Sequence, residues 1–332
     1  MNIVYATDDR YAGFCGISMF SLLANNKDLP QIRVFILDNH ISEENKEKLL
    51  KTAAQFDSPA GTRSVVFIDV ADFQSRFKFA FNTSGYNPIV LSRLFLPEYL
   101  PEDVDFVLYL DCDIIVAGSL SPLEKEYRLE RADVGMVPEL YMPPAKKKES
   151  VGFGPKDTYY NAGVLWINLK RWREEKLTEK FLSFYASRNG QLLYNDQDII
   201  NYCCRGRILQ LPQWFNTNTN LPYFPRWFLR HLQPQYICEP RSEYRKRLKN
   251  PVIIHYQGDE RPWIRGSRNY YRGFYEEYEK KSLWGTIPRV RGREWYMMCY
   301  HILNIGTRIL PPGRVLFTNV IGINKIRWFG KS

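Results

Sequence analysis

The first seventy residues alternate short apolar runs with helix-length amphipathic stretches, and that alternation limits the chain to few folds. "NIVYATDD" is followed by a helical pattern through "GISMFSLLANN", by "IRVFILD", by "SEENKEKLLKTAAQF", and by "RSVVFIDV". Ser42 is placed as an N-cap, with Glu44 and Glu47 in the first turns behind it. A β-α-β-α-β order predicts a parallel sheet with helices on both faces and ligands beyond the carboxyl ends of the strands. Acids stand at those ends: Asp8 and Asp9, Asp38, Asp69, then Asp111 and Asp113 in "FVLYLDCDIIV". That last run, Phe106 to Val116, reads as one strand buried on both faces. An unpaired buried carboxylate costs several kcal/mol, so these two must sit at an exposed end, hold a cation or pair with bases. Any one such acid reads as a helix cap or turn former. Gathered at one sheet edge, they point to a ligand site.

The second half has a different texture. "YYNAGVLWINLKRW" holds a strand between Asn161 and Asn168, "LTEKFLSFYASR" is amphipathic at helical spacing, and "YNDQDIINYCCRG" puts Asp196, Gln197 and Asp198 at a helix start. From Gln213 to Asn250 the chain is rich in Pro, Trp, Phe and Asn with little periodicity, which predicts a long loop region shaping a binding surface. "PVIIHYQG" reads as a strand delivering His255, and Pro143 and Pro144 before "AKKKES" mark an exposed loop. Asp111, Asp113 and His255 offer hard oxygen and borderline nitrogen donors, which suit Mn²⁺ or Mg²⁺. Strand alternation turns Cys112 to the opposite side, away from that group. The plain alternative is a core histidine beside two turn-forming acids.

At 332 residues, 45% hydrophobic and 25% charged, the chain is long enough for one large domain or two. "MNIVYA" enters apolar alternation without a basic segment and apolar stretch, so no signal peptide is read and a cytoplasmic location is expected. No apolar run approaches the ~20 residues of a membrane span. The cysteines at 15, 112, 203, 204, 238 and 299 lack CxxC spacing and read as reduced thiols. The net charge of +10 is concentrated: residues 280–332 carry ten Lys or Arg against the single acid Glu294. The first 279 residues are therefore nearly neutral.

Taken in order, "YATDDRY", "SRLFLPEYLP", "VLYLDCDIIV", "YYNAGVLWINLKRW", "NDQDIIN" and "IIHYQGDERPW" resemble the family 8 retaining glycosyltransferases over about residues 1–270. That family includes bacterial lipopolysaccharide and lipooligosaccharide galactosyl- and glucosyltransferases and, more distantly, glycogenin. The resemblance implies an α/β GT-A fold, a Rossmann-like mixed sheet flanked by helices, with a catalytic domain over 1–279 whose 213–250 region faces the acceptor. It implies a UDP-sugar donor, UDP-galactose or UDP-glucose, with Mn²⁺ (or Mg²⁺) held by Asp111, Asp113 and His255. Position by position it puts Asp8 on the uracil beside Ala6 and Thr7, and Arg93, Asp111 and Cys112 along the nucleotide-sugar. Asn161, Asp196 and Gln197 would hold the donor sugar, with Asp196 and Gln197 also the candidate catalytic pair. Gly258 and Arg261 would meet the diphosphate. Two positions depart from the family's habit: Arg10 stands where a small polar residue is usual, and Arg261 where Lys is usual. A planar guanidinium is not equivalent to a point-charge ammonium.

The basic segment 280–332 also carries Trp284, Trp295, Tyr296, Tyr300, Phe317, Trp328 and Phe329. Cations and aromatics together suit stacking on bases or an anionic membrane surface, and the plain alternative is that the segment packs on the catalytic domain. The resemblance favours the membrane: enzymes building surface glycans work at the inner face of the cytoplasmic membrane, on a carbohydrate or glycolipid acceptor. The rival readings are a nucleotide-sugar-binding protein without catalysis and a basic nucleic-acid binder, the latter opposed by the near-neutral first 279 residues.

Overall fold

The computed structural model describes residues 1–317 apart from 59–60, 84, 141–147, 150, 155, 233 and 238. The expected loop at Pro143 and Pro144 lies outside the described residues, as do Lys325, Arg327, Trp328, Phe329 and Lys331.

The opening alternation folds as read: β1 (Asn2–Asp8), α1 (Ala12–Asn25), β2 (Gln31–Asn39), α2 (Glu43–Ala54) and β3 (Thr62–Asp69). Ser42 caps α2 by accepting from the Asn45 amide at 3.4 Å, and Glu43 and Glu44 sit at the positive end of the helix dipole. The three strands are parallel, in a register that sets Thr7 beside Asp38 and Asp38 beside Asp69. The remaining strands are β4 (Phe106–Leu110), β5 (Ile114–Val116), β6 (Val134–Pro138), β7 (Tyr160–Asn168), β8 (Ile208–Gln210), β9 (Thr217–Asn218) and β10 (Ile253–His255). They complete a seven-stranded sheet, β3-β2-β1-β4-β7-β6-β8, and a three-stranded one, β5-β10-β9. Side chains alternate across the large sheet: Ile3, Tyr5 and Leu108 pack with α1 residues such as Met19, while Val4, Phe35 and Val107 pack with Phe95 and Trp172.

One expectation is met where the strand pattern alone pointed elsewhere, and two change. β7 runs antiparallel to both β4 and β6, so the sheet is mixed, as the family resemblance implied and the β-α-β-α-β order did not. An apolar run buried on both faces carries no directional signal, and "AGVLWI" is such a run. "FVLYLDCDIIV" is two strands: β4 ends at Leu110, β5 opens the second sheet at Ile114, and Asp111-Cys112-Asp113 form the junction. The flanking residues Leu108, Leu110, Ile114 and Val116 are all buried, so the chain leaves the large sheet where it becomes charged. The 213–250 region is more regular than its composition suggests, containing β9 and the helices Arg226–Leu232 and Arg241–Lys249. The latter buries only Tyr244, which leaves no apolar period to read.

The boundary expected at 279 falls inside helix Arg272–Lys281, and the segment beyond it packs on the body. A Cβ on Gly16 of α1 would lie 2.0 Å from the Trp284 ring, so glycine is what admits that indole. Arg289 donates to both oxygens of buried Glu279, at 2.5 and 2.7 Å. Helix Glu294–Ile309 turns Met297, Asn304 and Thr307 inward, each 1–2% exposed. Among the described residues, 280–317 are thus part of the body that carries the site.

Candidate active site

The junction of the two sheets brings three expected ligands together. Asp111, Asp113 and His255 each offer one donor atom, all within 4.8 Å of one another. His255 Nε2 lies 3.2 Å from Asp113 and 3.8 Å from Asp111. β10 pairs with β5 so that His255 stands opposite Ile114, next to the acidic junction. The imidazole packs over Gly163, where a Cβ would come within 2.1 Å of it. His255 is 3% exposed, so this strand end is an enclosed corner.

Hydrogen bonds fix which imidazole nitrogen faces the acids. The Gly163 amide donates to Asn161 Oδ1 at 2.9 Å, which makes that oxygen an acceptor and orients the side chain. Asn216 must then present Nδ2 to it, at 2.7 Å, so its own Oδ1 faces His255 Nδ1 at 2.9 Å. Nδ1 donates, and the Nε2 lone pair is left for the carboxylates' corner, as metal-ligating histidines require. Burial pushes the Asp113 carboxyl up, but His255 and Arg261 outweigh it and hold it well below the usual range. Burial lowers His255, yet Asp113 and Asp111 raise it overall. A proton and a divalent cation compete for the same lone pair, and two carboxylate oxygens with one imidazole nitrogen fit Mn²⁺ or Mg²⁺.

Arg93 is the other centre of the site. Its side chain is 2% exposed, donates to Asp111 at 2.8 Å and to the Ala162 carbonyl at 2.7 Å, and lies 3.2 Å from Asp196. Its guanidinium stacks 4.0 Å above the Tyr109 ring. Burial works against its charge, but Asp196, Tyr109 and Asp111 raise its pKa overall. Asp196 is pushed up to about 7 by burial, against the pull of Arg93 and with Asp111 adding to the rise. Gln197 Oε1 accepts from the Ala162 amide at 2.9 Å, and Asp198 turns away to accept from the Tyr159 hydroxyl at 2.5 Å.

A cavity of about 610 Å³ joins these groups to Ala6, Thr7, Asp8, Cys112, Gly258 and Arg261, so every expected site residue lines one space. Cys112 borders it, while its thiol turns to the Ala6 carbonyl at 3.4 Å and packs on the α1 side of the sheet, as strand alternation predicted. Asp8 accepts from Asn87 at 2.9 Å and from Arg10 at 3.0 Å, and Arg261 lies 3.3 Å from Asp113. Gly258, at φ +91°, holds a left-handed conformation that glycine adopts without strain. Asp38 and Asp69 have the plain role instead, accepting from the Ile41 and Ala71 amides at 2.7 and 2.9 Å. Sequence reading missed Asn216, Glu139 and Gln257, which hold Asn161 and His255 from irregular segments; Asn161 donates to both Glu139 and Gln257 at 2.7 Å. It also missed Asn87, Tyr296 and Tyr300. The one available signal was the density of asparagines in "FNTNTN".

The chain matches the model of the family described as Glycosyl transferase family 8 over residues 2–266. It is 25% identical over 295 residues to general stress protein A of Bacillus subtilis, covering 86% of this chain and 96% of that protein. It is 27% identical over 266 residues to lipopolysaccharide 1,2-glucosyltransferase of Escherichia coli K12, covering 79% and 72% of the two chains. Among solved structures, the galactosyltransferase LgtC in complex with donor and acceptor sugar analogs superposes with a TM-score of 0.69 at 29% identity, covering 87% of this chain and 98% of that one.

Proposed function

Because the chain belongs to glycosyl transferase family 8, and so is a glycosyltransferase of GT-A fold, we propose that it is a retaining, Mn²⁺-dependent hexosyltransferase. It moves galactose or glucose from a UDP-sugar to lipopolysaccharide or a related cell-surface glycan, forming an α linkage. The observation that carries this reading is the enclosed corner of Asp111, Asp113 and His255, with Nε2 turned toward the acids, beside Arg261 in the cavity lined by Arg93 and Asp196. The similarity to a lipopolysaccharide glucosyltransferase supports the acceptor class.

Asp8, Ala6 and Thr7 take the uracil end, and Asp111, Asp113 and His255 would hold the metal, which would supply Lewis-acid charge against the departing diphosphate. Arg261 clamps the same group from the protein side, so no separate general acid is needed. Asp196 and Gln197 orient the donor sugar. Asp196 is tied to Arg93 and holds its proton up to about pH 7, while Gln197 is a neutral amide. Neither makes a good nucleophile, which supports front-face attack over a double displacement through a carboxylate.

The location proposed is the inner face of the cytoplasmic membrane. No helix among the described residues is long and apolar enough to cross a membrane. Helix Glu294–Ile309 exposes Trp295, Met298, Ile302, Ile305 and Ile309 along one side, and Lys280, Lys281, Arg291 and Arg308 are exposed on the same segment. That arrangement supports peripheral binding to anionic lipid.

The test is UDP release by the full-length chain from UDP-galactose and UDP-glucose with Mn²⁺, without acceptor. Release should stop with EDTA, return with Mn²⁺ better than with Ca²⁺, and vanish in Asp113→Ala. Tight UDP binding with no release from either donor would instead identify a nucleotide-sugar-binding protein.

A further inference from the structure

Arg261 carries the diphosphate clamp in the reading above, and it sits on a loop that begins at Gly258. That glycine has φ +91°, and a Cβ there would meet nothing within 4 Å, so no packing around it holds the turn in place. Arg261 itself reaches Asp113 at 3.3 Å and the Tyr11 hydroxyl at 3.2 Å, contacts made on the cavity side. Support for the backbone that carries it comes from the two residues between, Asp259 and Glu260.

Both are held from helix Glu294–Ile309 and its flanks. Tyr296 donates to Asp259 Oδ2 at 2.7 Å, and Arg293 donates to the other oxygen at 3.4 Å. Glu260 is 2% exposed, and a buried carboxylate needs compensating charge. That charge arrives by relay: Asn304 donates to Glu260 at 2.7 Å, and Arg314, 4% exposed, donates to Asn304 Oδ1 at 3.0 Å. An amide can stand between them because it accepts at one end and donates at the other. Tyr296, Tyr300 and Asn304 recur every four residues and so share one face of the helix, where Tyr300 also accepts from Asn220 at 3.2 Å. Asp259, Glu260 and Arg261 lie inside residues 2–266, the part matched to the family, whereas Arg293, Tyr296, Asn304 and Arg314 lie beyond it.

We propose that Tyr296 and Asn304 are positioning residues for the diphosphate clamp: the C-terminal helix fixes Asp259 and Glu260 so that the Arg261 guanidinium meets the diphosphate. This rests on the UDP-sugar reading above and extends it to a segment that sequence reading gave to a membrane. One helix then has two tasks, with Tyr296 and Asn304 turned to the loop and Trp295 and Ile302 turned outward.

Calorimetric titration of the full-length chain with UDP and with UMP, both with Mg²⁺, tests this. UMP keeps the uridine contacts and lacks the second phosphate. Wild type should bind UDP more tightly than UMP. Tyr296→Phe and Asn304→Ala should each weaken UDP roughly tenfold and leave UMP unchanged, since a small displacement of a clamping group is enough to lose much of its effect. In an Arg261→Ala background neither change should weaken UDP further, because a residue acting through Arg261 has nothing left to position. Equal weakening of UDP and UMP would mean that the helix supports the fold alone, and additive losses with Arg261→Ala would mean that the two side chains act without Arg261. Either result overturns the proposal, as does unchanged UDP affinity. A wild type that binds neither nucleotide overturns the UDP-sugar reading, and the proposal with it. Tyr296→Phe removes one hydroxyl and leaves Asp259 paired with Arg293, so it decides alone should Asn304→Ala not fold.

Discussion

His255 and Asn216 are locked in a single orientation, Nδ1 to Oδ1 at 2.9 Å, by a chain of hydrogen bonds that starts at the Gly163 amide. Asn216 touches no expected metal ligand but this one, and its effect on a cation would pass through the imidazole tautomer. Asn216→Ala is therefore expected to weaken Mn²⁺ binding roughly 10–100-fold, the usual range for losing such a support. Calorimetric titration of the full-length chain with Mn²⁺ measures it. His255→Ala should bind more weakly still, and unchanged affinity in Asn216→Ala would show that the chain of amides does not set the ligand.

Arg93 pairs with two buried or half-buried acids at once, Asp111 at 2.8 Å and Asp196 at 3.2 Å, and Asp196 is charged only above about pH 7. Removing one member of such a buried group leaves uncompensated charge and costs about 3–5 kcal/mol. Arg93→Met should show a loss of that size in urea unfolding at pH 8, where Asp196 is ionised in wild type. Arg93→Met combined with Asp196→Asn should recover part of it, since the second change removes the acid left alone. Strictly additive losses would mean the guanidinium stabilises the fold through its packing on Tyr109 and not through its charge.

Asp196 also sets a pH dependence, because burial raises its carboxyl from the ordinary 3.8 to about 7. Between those values the folded chain keeps a proton that the unfolded chain has lost, so stability falls as pH rises. From pH 5 to pH 8, without metal or donor, the stability of wild type relative to Asp196→Asn should drop by about 3 kcal/mol. His255 and Asp113 titrate in both proteins, so their contributions cancel in the comparison. A difference flat across that range, measured by urea unfolding at each pH, would show that Asp196 is ionised throughout.

How far the sequence could carry these conclusions differs by region. β1 to β3 were legible because period and caps agreed: Ser42 begins α2 and the acids mark the strand ends. Asp111 and Asp113 were legible as chemistry but not as geometry, since an apolar run does not show that the chain changes sheet at Asp111. Asn216 and Asn220 were marked only by the density of asparagines around them, for another reason. Their roles arise from contacts with Asn161, His255 and Tyr300, 39 to 80 residues away in the chain, and no local pattern records such a contact. How the C-terminal segment packs was not legible because the same kinds of cation and aromatic serve its inward face, as Arg289 and Trp284 do, and its outward one.

That outward face makes the last prediction. Trp295 is 74% exposed, Ile302 61% and Ile309 83%, on the side of the helix opposite Met297 and Asn304. Apolar side chains at that spacing beside exposed cations suit insertion at headgroup depth, with about 1 kcal/mol for each cation reaching anionic lipid. Truncation at 279 is a poor test, because it would strip Trp284 from α1 and Arg289 from Glu279. Trp295→Ser with Ile302→Ser leaves those contacts intact. The double variant should lose sedimentation with phosphatidylglycerol vesicles at least tenfold and still release UDP from the donor as wild type does. Wild-type binding should fall steeply with salt, since exposed charges are screened beyond ~8 Å at physiological ionic strength. A full-length chain that ignores anionic vesicles at low salt, or a double variant that binds them as well as wild type, would remove the helix from any role at a membrane.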